Sequence, residues 1–236
     1  VALWSQTVTH SPPLSAIDQL RRQLEQFSRP SPRRPSGPGL ATGLGAVDRH
    51  LPGHGLARGA LHELTGDMAG ITGFLATLLG RADSVTEILW ISPAPRLYAP
   101  GLSQLGLAHD RLTIIHAPRA DDRLWAAEEA LRELGRGAVM VEVEHPDLTD
   151  TRRLLLAAEK SGGTGFLIRR DRQPSAALTR WQVEPAPGRG QRPCLRLMLE
   201  RCRGGQPGSW VMEWNHATLS FSLAAALGHG SLAAAE

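Results

Sequence analysis

The chain has 236 residues, 42% of them hydrophobic, and carries 26 Lys and Arg against 23 Asp and Glu, for a formal net charge of +3. That length supports one medium domain with a sizeable core. No apolar run reaches the roughly 20 residues of a membrane span, which excludes a membrane-spanning helix. No secretion-signal core is evident near Pro12-Pro13, so a soluble, cytoplasmic protein is expected. Arginine pairs (Arg21-Arg22, Arg33-Arg34, Arg152-Arg153, Arg169-Arg170) spread the positive charge, which permits nucleic-acid contact without requiring it. Cys194 and Cys202 are the only cysteines; with no metal-ligand spacing they read as free thiols of a reducing compartment.

In chain order, Ile17, Leu20, Leu24 and Phe27 recur at helical spacing against Asp18, Arg21, Arg22 and Glu25, which predicts an amphipathic helix over 15–27. Ser15 is its candidate N-cap. The segment from Ser28 to Gly39 (SRPSPRRPSGPG) is too rich in proline for helix or inner strand, so 1–39 reads as a tethered helical arm and linker. The main body then runs over 40–216. Ala60 to Leu64 reads as a strand, Thr65 to Gly70 as a loop, and Ile71, Phe74, Leu75, Leu78 and Leu79 as the stripe of a helix packed on a sheet. Further strands are expected at Glu87–Ile91, Leu112–His116, Ala138–Val143 and Gly165–Ile168, alternating with helices over 121–134 and 150–161. That alternation argues an α/β fold with a mostly parallel sheet covered on both faces. Arg180 to Val183 looks like one more strand, and Leu195–Arg203 and Trp210–Trp214 flank the Gly204 to Gly208 turn as an antiparallel hairpin. An Ala-rich tail closes the chain over 217–236.

The strand-to-helix passage Gly66-Asp67-Met68-Ala69-Gly70-Ile71-Thr72 has the glycines and threonine of a phosphate-binding loop but no lysine. Lys160 is the only lysine in the chain. A loop that cradles phosphates with backbone N–H groups also needs a mobile ammonium on the β/γ oxygens, a charge-assisted bond of roughly 1.5–3 kcal/mol. Nucleotide-binding architecture without its chemistry points to a protein that binds partners.

The stretches Thr42-Gly43-Leu44-Gly45-Ala46-Val47-Asp48 and Leu56 to Gly66 resemble the entry to a RecA-type ATPase core. The resemblance continues through a strand ending at Ile91, a strand ending in the acid Glu142, and a closing antiparallel portion through Trp214. It covers about 40–215. The departures share a direction. Ile71 or Thr72 stands at the lysine position, and the water-activating carboxylate beyond the second core strand falls at Ala94, which cannot act as a base. The mobile DNA-contacting loops shrink to a dozen residues between Ile168 and Trp181.

With the N-terminal helix and Trp-rich hairpin, this eroded core resembles the ImuA family of a damage-induced mutagenesis cassette. The resemblance implies a non-catalytic adaptor in SOS translesion synthesis, partnered by ImuB, a Y-family polymerase-like protein. RecA, or a second copy of the chain, is a further partner through the arm. The other readings are a SulA-like cell-division inhibitor binding FtsZ, favoured less because those proteins are shorter, and a weak RecA-like ATPase rescued by an arginine such as Arg58 or Arg96.

No catalytic residue, cofactor or metal is expected. Gly66, Gly70, Ile71 and Thr72 then read as a relic phosphate loop and Glu142 as a relic Walker B acid. Glu142, Glu144, His145 and Asp147 are dense enough to weigh as metal ligands, but His145-Pro146 suits a loop leading to an N-cap at Thr149 or Asp150. His50 and His54 flank Pro52-Gly53, so they share no helix face. Trp210 and Trp214, four apart on one strand, project to one face, either as core or, with Phe221, as a partner-binding patch. Ile17, Leu20, Leu24 and Phe27 would dock on their own domain or on a neighbouring subunit. Weak DNA contact through Arg169, Arg170 and Arg172 is a secondary expectation.

Overall fold

The computed structural model describes residues 39–94, 97–188 and 192–224. The helix expected over 15–27, with Ile17, Leu20, Leu24 and Phe27, lies outside the described residues, as does the tail beyond 224. The aliphatic and β-branched runs become β1 (Ala60–Gly66), β2 (Ile88–Ser92), β3 (Leu112–His116), β4 (Ala138–Glu142), β5 (Thr164–Ile168), β6 (Thr179–Ala186), β7 (Cys194–Cys202), β8 (Gly208–Asn215) and β9 (Ser220–Leu223). The helices are α1 (Gly45–Asp48), α2 (Met68–Gly80), α3 (Ala99–Gln104), α4 (Ala120–Glu133) and α5 (Leu148–Ser161).

All the strands join one sheet in the order β3-β2-β4-β5-β1-β6-β7-β8-β9. Strands β1 to β6 run parallel, and β7, β8 and β9 extend the sheet antiparallel. The expected mostly parallel sheet with an antiparallel closing portion is therefore present. The segment read as tail begins with a strand, because Phe221 pairs with Trp214 across β8 and β9 and their rings meet edge to face at 5.0 Å.

Side chains alternate along each strand, so the sheet separates two apolar layers. Leu64, Trp90, Met140, Phe166 and Trp181 pack with Ile71, Phe74, Leu75 and Leu78 of α2 on one face. Leu61, Ile91, Val139, Val141 and Leu167 pack with Ala127, Leu131 and Leu154 of α4 and α5 on the other. Burying each large aliphatic or aromatic side chain contributes roughly 1.5–3 kcal/mol, so these layers fix the strand register. The entry motif over Thr42 to Asp48 is a closed turn: Thr42 donates to Asp48 through its N–H at 2.9 Å and its hydroxyl at 2.8 Å, and Leu44 N–H returns to Thr42 Oγ1.

Two helix starts differ from the sequence expectation. α2 begins at Met68 rather than Ile71, and α5 begins at Leu148, ahead of the expected N-cap at Thr149 or Asp150. In α5 Asp147 is the cap and Asp150 its reciprocal partner three residues on, a capping box that holds two N–H groups the helix cannot satisfy itself.

His62 is a polar residue inside the apolar layer. Its ring is fully buried, with Nδ1 2.8 Å from Thr179 Oγ1 and Nε2 2.9 Å from the Ala57 carbonyl. Desolvation lowers its pKa from 6.5 to about 4, against a smaller opposing effect of the Ala57 carbonyl. Below pH 6.5 the unfolded chain takes up a proton that the native ring refuses, so stability falls as pH drops from 6.5 toward 4. The loss from this ring should reach about 3 kcal/mol at the acid end. Urea unfolding across that range should show it, and His62→Gln should lack this component; parallel pH profiles would contradict the assignment.

Candidate functional site

In open parallel sheets the crevice lies beyond the carboxyl ends of the strands, and here β1 delivers the chain to α2 at that edge. Only Asp67 separates the end of β1 from the start of α2. Gly66 adopts φ +114°, and a Cβ there would stand 2.1 Å from the Val183 carbonyl oxygen, so only glycine fits. The Asp67 N–H donates to that same carbonyl at 2.8 Å. The Asp67 carboxylate then turns back as N-cap and accepts the Gly70 N–H at 2.7 Å. A helix N-terminus attracts anions through its free N–H groups and its dipole. Here the chain's own carboxylate holds that place. The expected loop over Thr65 to Gly70 is absent, because β1 and α2 consume it.

The relic positions divide accordingly. Gly66 and Thr72 line the cleft. A Cβ on Gly70 would press on Leu195 and Val183 at 3.0 and 3.1 Å, so that glycine serves the close packing of α2 on the sheet. Ile71 is 1% exposed and belongs to the core; a lysine there would point into apolar packing. Ala94 follows β2 directly, and its carbonyl accepts the Ser92 hydroxyl at 2.8 Å.

The cleft has a volume of about 1320 Å³. Asp67, Glu142 and Glu144 line it together with Met68, Tyr98 and Leu219. Glu142 accepts the Trp90 indole N–H at 2.9 Å, while the buried Arg123 spends its guanidinium on the carbonyls of Ala117, Pro118 and Glu142 at 2.6–2.8 Å. The weighed metal group is dispersed: Glu144 pairs with Arg170, His145 faces Asp171 at 3.2 Å and Asp147 caps α5. Among the described residues no cluster of potential metal ligands forms. His50 turns to the Gln206 and Pro207 carbonyls and packs on Trp210, while His54 sits in a turn at φ +56°.

A second polar centre lies beneath the short connection between β5 and β6. Glu63 and Arg169 are fully buried; Glu63 meets Arg169 at 3.4 Å, Arg180 at 2.7 Å and Arg201 at 3.8 Å. The Ser175 hydroxyl donates to the same carboxylate. Arg201 also donates to the Ala177 carbonyl, Arg180 to that of Gln173, and Ala176 N–H to Thr151 Oγ1. The connection is thus pinned from both ends. Arg169, expected as a DNA contact, is corrected to an internal ion pair because its side chain is inaccessible; Arg170 and Arg172 remain exposed.

Trp210 and Trp214 do share a face, and it is the core face. Trp210 packs against Trp181 and the main apolar layer. Trp214 is buried against Phe221, with its indole N–H on His216. Phe221 is half-buried. Arg58, weighed as a rescuing arginine, hydrogen-bonds Ser84 and does not line the cleft; Arg96 lies outside the described residues. Sequence reasoning missed Glu63, Tyr98, Leu219 and the capping role of Asp67. Only the last had a local signal, an aspartate directly before a helix.

A sheet of this order, parallel through β6 and closed by antiparallel strands, with one capping aspartate between β1 and α2, defines a RecA-like fold. The fold matches a solved structure described as the RadB recombinase, with TM-score 0.60 and 17% identity over 78% of this chain and 98% of that one. No family model matches the sequence. The chain is 36% identical over 232 residues to Protein ImuA of Caulobacter vibrioides, in strains NA1000 and ATCC 19089 alike, covering 84% of this chain and 94% of that protein. The chain belongs to the ImuA family.

Removing one member of a buried ionic group strands the others at a cost of about 3–5 kcal/mol. Glu63→Gln should lower the urea-unfolding free energy by that order; an unchanged midpoint would show that the network contributes nothing.

Proposed function

We propose that the chain is a non-catalytic adaptor in damage-induced translesion DNA synthesis, binding an ImuB-type Y-family polymerase-like partner. The observation that carries the non-catalytic part is the β1–α2 junction, where the Asp67 carboxylate occupies the anion position of the helix N-terminus. An anionic triphosphate would meet a fixed negative charge there, with no lysine to offset it. Ala94 removes a water-activating carboxylate from the end of β2. Membership of the ImuA family supports the link to the mutagenesis cassette and hence the choice of partner. The pinned connection between β5 and β6 favours protein contact over DNA contact, leaving Arg170 and Arg172 for a weak, salt-sensitive interaction with DNA. RecA or a second copy remains the proposed contact of the arm.

The test is co-purification of the full chain with an ImuB-type protein and, separately, with FtsZ. Residues 208–215 and 220–223 are sheet strands, so truncating them would disrupt the core rather than isolate an interface. The ImuB-type protein should be retained with or without ATP·Mg²⁺, and FtsZ should not. Retention of FtsZ alone would replace the adaptor with a division inhibitor.

A further inference from the structure

We propose that the cleft beyond β1, β2 and β4 receives a cationic side chain, an arginine or lysine carried on a short apolar segment of a protein partner. The proposal rests on the adaptor reading in that the occupant belongs to another protein. Where a phosphate loop would hold an anion, this cleft presents two carboxylates whose hydrogen-bond donors are neutral. Asp67 accepts only the Gly70 N–H and Glu142 only the Trp90 indole N–H among the described residues. Neither forms an ion pair with a described residue. The arginines on the wall are committed elsewhere: Arg123 to three carbonyls, Arg169 to Glu63 and Asp171, Arg170 to Glu144. Arg123 has only neutral partners too, so its charge offsets one of these carboxylates and a single net negative charge is left in the cleft, which one guanidinium or ammonium group complements.

The rim supplies an independent reason to expect a peptide. Of the seven exposed large hydrophobic side chains among the described residues, Met68 (44%), Tyr98 (72%) and Leu219 (49%) line this one cleft. Clustering of exposed apolar area around a polar floor marks contact surfaces. Leu219 is also held at φ +47° in the turn between β8 and β9, a region that suits glycine or asparagine and disfavours leucine. Stability alone would not place a leucine there. Met68, Tyr98 and Leu219 would take the apolar flanks, and the Tyr98 ring can also face a guanidinium. An acidic or phosphorylated segment would meet Asp67 at the position its charge needs.

The test uses the full chain and three capped heptapeptide libraries with Leu, Ile, Val and Phe at the flanks. Their central residue is arginine, its neutral isostere citrulline, or glutamate. Affinity selection read by mass spectrometry should enrich arginine peptides about tenfold over citrulline peptides, with glutamate peptides lowest. Asp67→Asn keeps a side chain that caps helices as well as aspartate, and Glu142→Gln keeps a carbonyl for Trp90. Both variants should melt like wild type and lose the preference for arginine over citrulline. Equal retention of arginine and citrulline peptides, no retention of any library, or a preference unchanged in both variants would overturn the proposal. Failure of the ImuB-type protein to co-purify, with the arginine preference intact, would count against that partner and leave the cleft assignment standing.

Discussion

The Asp67 carboxylate accepts the Gly70 N–H at the first turn of α2, and the geometry of the cleft follows from that contact. Because the cap lies one residue beyond β1, no free chain remains to wrap a phosphate. Gly66 crosses Val183 too closely for any side chain, which ties the junction to β6. Of the two candidate lysine positions, Ile71 is turned into the core and Thr72 lines the cleft. A lysine at position 71 would bury an ammonium group, at a heavy desolvation cost, and at either position Ala94 would still stand just beyond β2. The β1–α2 junction is thus fixed by packing at several points.

The Glu63 group plays the matching role on the other face of the sheet. Three guanidinium groups converge on one buried carboxylate, an arrangement that is stable only while the carboxylate is present. Its effect is to fix residues 169–178 against β1 and β7. A connection held this way is tied down at several points, so arginines that look available in sequence are in part structural. Met68, Tyr98 and Leu219 remain exposed around the cleft, while Trp125 and Leu156 are exposed on α4 and α5.

Much of this fold was legible in the sequence. Alternation and apolar runs located the parallel strands, and the Gly204 to Gly208 turn located the antiparallel hairpin. The misplaced helix starts at Asp67 and Asp147 share a cause. The apolar stripe of α2 begins at Ile71, whereas its hydrogen bonding begins at the cap four residues earlier. The candidate site was legible only in part. Losses could be read locally, as a missing lysine and an alanine. The polar centre could not, because Glu63 meets Ser175, Arg169 and Arg180 across 106 to 117 residues of sequence, and no periodicity encodes such a meeting. Likewise Leu219 lies in a segment that reads as tail, and only pairing of β9 with β8 brings it to the cleft.

The most direct measurement is calorimetric titration of the full chain with ATP·Mg²⁺. A cleft whose anion position is filled by Asp67 should give no binding heat even at millimolar nucleotide. A low-micromolar dissociation constant, above all one accompanied by phosphate release that disappears in Glu142→Gln, would contradict the closed junction and return the protein to the nucleotide-driven enzymes.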